Sequence, residues 1–126
     1  MNELGDPGPR FPRSVYGVGA EPDPRFSLAN ERTFLAWITT SIGLIAAGVA
    51  LEALAAPVQP GLRLAASLVL IVAGVASPVQ AWFGWLRTER AIRLAQPLPA
   101  PRIAGPLALV IVVAGILVLL GTLLGR

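Results

Sequence analysis

The sequence predicts an all-α membrane protein, a small bundle of three transmembrane helices that is expected to oligomerise. The chain has 126 residues, of which 55% are hydrophobic and 13% are charged, and its mean hydropathy is +0.70. A soluble domain this small cannot bury so much apolar surface. Three apolar stretches bracketed by charged residues are each long enough to cross the roughly 30 Å apolar core of a bilayer. The distribution of arginine predicts the orientation.

The N-terminal segment differs in composition from the rest of the chain. Residues 1–26 contain five prolines, several glycines and mixed charge, which is typical of a disordered tail. Without an apolar stretch before the first span, no signal peptide is expected. Residues 27–126 form the predicted membrane domain, with Ser27 as the expected N-cap of the first helix.

The predicted spans cover residues 33–54, 63–86 and 103–125, and none shows the two-residue alternation of a membrane β-barrel. Prolines separate these spans and end the neighbouring helices. The second helix is expected to continue past the membrane to Leu94.

Arginine is distributed unevenly between the two sides of the predicted membrane. The N-terminal side and the loop between the second and third spans hold eight of the ten arginines. The opposite side holds only Arg63 and Arg126. Because positive charge accumulates in cytoplasmic segments, the N-terminus is predicted to be cytoplasmic and the C-terminus to lie outside.

The side-chain inventory excludes most catalytic chemistry. The chain has no Cys, His or Lys, which excludes thiolate nucleophiles, disulfides, zinc sites of the usual kind and Schiff bases. The seven acidic residues form no spaced pair on one membrane face, and the sequence has no glycine-rich phosphate loop. We therefore expect no enzymatic activity, no metal and no cofactor.

Two of the predicted spans carry rows of small residues, which allow membrane helices to approach closely. The first row is spaced alternately three and four residues apart and consists of Thr33, Ala36, Thr40, Gly43, Ala47 and Ala50. The second consists of Ala66, Ala73, Ser77, Ala81 and Gly84. Packing within one bundle and contact between subunits are both compatible with such rows.

Polar residues within or beside the spans are candidates for a polar lining or for contacts between helices. Gln80 follows Pro78, so it either binds a backbone carbonyl freed by that proline or lines a passage. The full set of these candidates is Asn30, Glu31, Thr39, Thr40 and Gln80.

A second candidate set is basic and lies at the predicted cytoplasmic ends of the first two helices: Arg32, Arg87, Arg90 and Arg93. These arginines either contact anionic lipid headgroups or capture an anionic solute at a pore mouth. Glu31 and Arg32 are also expected to pair with Arg87, Arg90 or Glu89. No nucleic-acid partner is expected, because no aromatic platform or binding motif accompanies the charges.

Residues 23–37 closely resemble the opening of the DUF202 family, which includes the YidH-like bacterial membrane proteins, and the run from Asn30 to Trp37 is the most specific part. The three-span layout matches over residues 23–126. The same domain resembles the membrane part of the eukaryotic vacuolar transporter chaperone complex, which makes and translocates polyphosphate. This resemblance implies a multi-pass protein of the bacterial plasma (inner) membrane and a homo-oligomer whose first helix faces a common axis. Thr39 stands where the family pattern has an arginine, and this argues against a path for polyanions.

Two functions are therefore compatible with the sequence. The first is an accessory or scaffold subunit of a membrane assembly, whose arginines bind lipid. The second is a homo-oligomeric, channel-like assembly that passes or binds an anion such as phosphate or polyphosphate.

Overall fold

The computed structural model describes residues 9–54, 57–99 and 104–125, and every regular element in these ranges is helical. A short helix precedes three long ones. In chain order the helices are α1 (Arg13–Tyr16), α2 (Pro24–Ala53), α3 (Pro60–Arg93) and α4 (Ala104–Leu124). The three long helices are apolar and long enough to cross a membrane. The predicted all-α, three-span architecture is confirmed, while the side of the membrane on which the termini lie stays a prediction.

Both α2 and α3 begin with a proline that follows a capping side chain. The Oδ1 atom of Asp23 accepts a hydrogen bond from the backbone N–H of Arg25 at 2.9 Å, and Pro24 is the first helical residue. Proline is favoured there because its fixed φ suits the helix and its missing N–H is not needed. The N-cap of α2 is therefore Asp23, and the prediction of Ser27 was wrong by four residues.

The C-terminus of α3 is closed by a Schellman motif. The N–H of Gln96 donates to the carbonyl of Ala91 at 2.9 Å, and Ala95 adopts a left-handed conformation with φ of 53°. This conformation usually requires glycine, because a Cβ crowds the backbone. Pro97 follows and cannot continue the helix. α3 thus ends at Arg93, one residue before the predicted end.

The long helices lie in a row with α3 in the middle. α3 packs against both α2 and α4, whereas α2 and α4 make no contact within the described residues. Two glycines bring α2 and α3 together. A Cβ on Gly74 would lie 2.9 Å from the carbonyl oxygen of Ser41, and one on Gly48 would lie 2.8 Å from that of Ser67. Because both distances are shorter than normal contacts, the helix backbones touch where these side chains are absent.

The small-residue row of α2 does not face α3. The residues that α2 buries are Asn30, Ser41, Leu44 and Gly48. The row itself is exposed apart from Thr40, which is half-buried, and no atom of the described residues lies within 4 Å of a Cβ built on Gly43. The α3 row behaves differently, because Ala66, Ser77 and Ala81 are buried. Packing within one bundle therefore accounts for much of the α3 row and leaves the α2 row unexplained.

Among the described residues, α4 contacts α3 and the loop that precedes α3. The backbone N–H of Gln59 donates to the carbonyl of Gly121 at 2.8 Å. The Cβ that Gly121 lacks would overlap the side chain of Val58. Substitution of Gly121 therefore cannot be accommodated without moving the loop.

Residues 9–23 follow a defined path along α3, which differs from the disordered tail predicted from composition. α1 packs on α3, Val15 is only 1% exposed, and the N–H of Ala20 donates to the carbonyl of Arg93 at 3.1 Å. Gly19 has a φ of +64°, and a Cβ there would overlap the same carbonyl. A few specific contacts order this segment, and the amino-acid composition of residues 1–26 cannot predict them. Residues 1–8 of the predicted tail lie outside the described residues.

Candidate functional site at the junction of α1, α2 and α3

Two buried polar side chains, Asn30 and Glu89, and the half-buried Ser27 join the first turns of α2 to the last turns of α3. Ser27 Oγ donates to Glu89 Oε2 at 2.7 Å, and Asn30 Nδ2 donates to Glu89 Oε1 at 3.1 Å. The same Asn30 nitrogen also lies 3.2 Å from the carbonyl oxygen of Trp85. Asn30 is 8% exposed and Glu89 is 3% exposed. Ser27, Asn30 and Glu89 form what we call the polar cluster, and in it Asn30 is a contact between helices.

The charge of Glu89 has no basic partner within the described part of the chain. Its carboxylate accepts hydrogen bonds from a hydroxyl and an amide, which are both neutral groups. The ion pairs of this region join other residues, with Arg10 and Arg93 both paired to Glu21. A buried carboxylate without a cation is costly even when it is hydrogen-bonded. Glu89 therefore lies in an electrostatically unbalanced position.

An aromatic crevice of about 290 Å³ opens beside the polar cluster. Its lining comes from three helices and consists of Tyr16, Ser27, Leu28, Glu31, Phe34, Trp82, Trp85 and Glu89. The rings of Trp82 and Trp85 are stacked with centroids 5.4 Å apart, and Phe34 meets Trp82 edge to face at 6.4 Å. The crevice thus combines two carboxylates with four aromatic rings.

Arg93 holds the N-terminal segment on α3. It is 8% exposed, and it donates to the carbonyl of Val18 at 2.9 Å, to Glu21 Oε1 at 2.9 Å and to the carbonyl of Tyr16 at 3.4 Å. Its guanidinium also lies 5.3 Å from the centroid of the Tyr16 ring. The predicted contact of Arg93 with an external anion is therefore replaced here by contacts within the chain.

Glu21 is the acidic partner of this arrangement. The hydrogen bond from Arg10, followed by that from Arg93, lowers the pKa of the Glu21 carboxyl below its ordinary value. The Arg10 guanidinium also lies 4.2 Å from the centroid of the Tyr16 ring. Two arginines thus share one carboxylate and one aromatic ring.

The other predicted arginines have more open positions. Arg90 is exposed and donates to the carbonyl of Ser14 at 2.7 Å. Arg32 is exposed, and Arg87 is half-buried with an Nε atom that has no hydrogen-bond partner among the residues that the structure describes. The expected pairing of Glu31 or Arg32 with the end of α3 does not occur within 4.0 Å in the part of the chain that the structure describes.

The predicted polar lining is not assembled within a single chain. Thr39 and Thr40 each donate to a carbonyl one turn back in α2, at 3.0 Å. Glu31 is an exposed residue that lines the crevice. Gln80 is exposed and makes no hydrogen bond within the described residues, so the first of its two predicted roles, a bond to a carbonyl freed by Pro78, is absent there.

Sequence reasoning missed the role of Glu89 as the acceptor of the polar cluster and grouped it with the surrounding arginines. It also missed Tyr16, Trp82 and Trp85. The available signal was spacing: residues 27, 31 and 34 share one face of α2, and residues 82, 85 and 89 share one face of α3. In the ranges that the structure covers, no group of three ligating side chains could hold a metal ion.

Comparisons with known proteins identify similar chains. The family model described as "Domain of unknown function (DUF202)" matches residues 25–91, a range that holds the polar cluster. Inner membrane protein YidH of Escherichia coli (strain K12) is 41% identical over 106 residues, which is 83% of this chain and 92% of that protein. The uncharacterized protein MT2333 of Mycobacterium tuberculosis is 42% identical over 100 residues, covering 79% of this chain and 82% of that protein. No solved structure matches the chain.

Proposed function

Because the chain belongs to the DUF202 family and is a small multi-pass protein of the bacterial inner membrane, we propose that it acts as a self-associating accessory subunit of a membrane assembly. The single observation that carries this proposal is the exposed small-residue row of α2, which faces away from α3. The relatives named above carry no enzymatic name, which agrees with a structural role.

Helices associate in lipid for reasons that differ from those in water. Lipid tails are as apolar as leucine, so helices gain by close packing of small residues rather than by the hydrophobic effect. The open space around Gly43 lets another backbone approach the α2 row. A second copy of this chain is the occupant we propose, since a row of small residues is complementary to itself in an isologous contact.

The positions of the arginines also favour a structural role. Arg90 and Arg93 donate hydrogen bonds to carbonyls of the N-terminal segment, so they hold this segment on α3. Arg32 and Arg87 then remain to contact anionic lipid headgroups at the end of the bundle. An anion-conducting mouth would instead require several of these side chains to point together into open space.

The test uses two glycines in equally open surroundings. In the part of the chain that the structure describes, no atom lies within 4 Å of a Cβ built on Gly43 of α2 or on Gly115 of α4. We expect native mass spectrometry from mild detergent to show an oligomer for the parent and for Gly115→Leu, and mainly monomer for Gly43→Leu. An unchanged subunit number in Gly43→Leu would exclude the α2 row as the contact, and a monomeric parent would exclude self-association.

A second candidate, an oligomer that binds or passes an anion such as phosphate or polyphosphate, is favoured by the half-buried Arg87. Its Nε atom is a buried donor without a partner in the described ranges, and an anion would provide one. Radiolabelled phosphate uptake into liposomes tests this function. Flux that Arg87→Gln reduces at constant subunit number would favour it, and flux equal to that of empty liposomes would reject it.

A further inference from the structure

We propose that the aromatic crevice binds an amphipathic organic cation, namely an ammonium group that carries an apolar chain. This inference is independent of the proposed self-association, because the crevice lies between α1, α2 and α3 of one chain. It rests on the charge of Glu89, on the arrangement of the rings and on the polarity gradient along the crevice.

The Glu89 carboxylate lacks a positively charged partner among the described residues. Glu89 is 3% exposed and lines the crevice, and among the described residues its hydrogen-bond donors are all neutral. The nearby Arg93 lines an adjoining crevice, but its nitrogens donate to Val18, Tyr16 and Glu21. A cation placed in the aromatic crevice would compensate the buried carboxylate, and Glu31 at the same crevice would add a second negative charge.

Aromatic rings line much of the crevice. A cation is attracted to the faces of aromatic rings, most strongly to tryptophan, and sites for organic ammonium groups are commonly built from several such rings. Here Trp82 and Trp85 are stacked, and Phe34 meets Trp82 edge to face. The Tyr16 ring already contacts the guanidinium groups of two arginines, so the tryptophans are the rings that we assign to the ammonium group. An anion would be repelled both by these ring faces and by the two carboxylates.

The lining of the crevice changes from polar to apolar along α2 and α3. Glu89 is one turn beyond Trp85 and two turns beyond Trp82 on α3, so the carboxylate lies nearer the end of the bundle than the rings. On α2, Phe34 lies two turns deeper than Ser27. A head group placed between Glu31 and Glu89 would therefore extend its chain past Trp82 towards the apolar exterior. This matches an amphiphile better than a compact hydrophilic cation.

Two sources could supply such a cation: a phospholipid with an ethanolamine headgroup, or a free cationic amphiphile. Both share an ammonium group beside apolar carbon. The volume of about 290 Å³ is near the lower end of ligand pockets, so it suits a headgroup with the beginning of a chain.

Tryptophan fluorescence provides the readout. The chain has three tryptophans, two of which line the crevice, so Trp37→Phe leaves only reporters of the site. Titration of this variant in nanodiscs of phosphatidylglycerol with decyltrimethylammonium should give a saturable change. Decyl sulfate, which has the same chain and the opposite charge, should give none.

Charge-removing variants identify the site. We expect Glu89→Gln to weaken binding of decyltrimethylammonium about tenfold and Glu31→Gln severalfold. Glu52→Gln removes a carboxylate near the other end of α2 and is the matched control, with no change expected. Glu31 is exposed, so its variant remains informative if Glu89→Gln fails to fold. Equal responses to both amphiphiles, or binding that neither Glu31→Gln nor Glu89→Gln weakens, would overturn the proposal.

The lipid composition distinguishes the two sources. If phosphatidylethanolamine occupies the crevice, nanodiscs that contain it should raise the apparent Kd for decyltrimethylammonium by competition, and Glu89→Gln should remove that difference. The same Kd in both lipids, with the Glu89 dependence retained, assigns the crevice to a free amphiphile.

Discussion

The side-chain amide of Asn30 donates to the carboxylate of Glu89 across 3.1 Å, and this bond connects α2 to α3 over 59 residues of sequence. A further bond from the same nitrogen to the carbonyl of Trp85 fixes the rotation of α2 relative to α3. The most specific run of the sequence thus begins with a residue that sets the geometry of the helix pair.

Replacing Asn30 with alanine should destabilise the protein by about 2 kcal/mol, because Glu89 would lose a donor while remaining buried. Reversible unfolding in mixed micelles measures this. Thr33→Ala is the control, since its hydroxyl bonds only to the carbonyl of Ala29 in its own helix, and we expect a change within about 0.5 kcal/mol. Equal stability of the two variants would show that the interhelical bond contributes nothing.

Gly19→Ala should detach residues 9–23 from α3, because the added Cβ would overlap the carbonyl of Arg93 and the φ of +64° disfavours alanine. Tryptic cleavage after Arg13 should become about tenfold faster or more, since cleavage follows the population of the open form. Gly105→Ala, at a position with open space, should leave the cleavage rate unchanged. Protection equal to that of the parent would contradict the docked path.

Acidification should release the same segment. Arg10 and Arg93 lower the pKa of Glu21 in the folded protein, so their stabilisation is complete above the ordinary glutamate pKa of about 4.3. It is lost as the pH falls through the lower folded-state pKa. Hydrogen exchange at the amide of Ala20, corrected for intrinsic rates, should therefore rise below about pH 4.

The pH dependence has two controls. Glu21→Gln should abolish the transition and leave exchange at Ala20 fast at every pH. The pKa of Asp23 is also lowered, by its hydrogen bond from Arg25, so Asp23→Asn tests the neighbouring carboxyl. A transition that survives Glu21→Gln but disappears in Asp23→Asn would assign it to the helix cap instead.

Gly74→Ala should destabilise the α2–α3 pair by about 1–3 kcal/mol, because its Cβ would press on the carbonyl of Ser41 and on Ile45. Gly84→Ala is the matched substitution on the same helix, where no atom lies within 4 Å, and it should be close to neutral. Unfolding in mixed micelles again provides the measurement. A neutral Gly74→Ala would mean that the helices separate at little cost.

The three spans could be predicted from the sequence because each depends on local properties: apolar length, flanking charge and proline breaks. The start of α2 was predicted less well. Asp23 and Pro24 form an ordinary start signal, but they lie in a proline-rich segment whose composition suggested disorder. Local sequence signals thus predicted the three spans, where length, charge and proline breaks agreed. They failed at the start of α2, where the composition of the proline-rich segment indicated disorder instead.

The candidate site could be predicted only in part, because it depends on the relative rotation of two helices. The sequence predicts Asn30 as a candidate contact between helices, whereas it predicts Glu89 only as a pairing partner for residues at the foot of α2. Its burial follows from α2 placing Ser27 and Asn30 opposite it, a long-range relationship that spacing on one helix cannot reveal. Arg93 is similar, because its partners lie 72 to 77 residues earlier in the chain.

The arrangement of the long helices in a row has a consequence for biogenesis. α4 is synthesised after α2 and α3, it is the most apolar of the three, and within the described residues it contacts only α3 and the loop before it. The α2–α3 pair has all of its buried polar bonds available before α4 leaves the ribosome. The α2–α3 pair can therefore be inserted and stabilised as a unit. α4 can then pack against the side of α3 that α2 leaves uncovered.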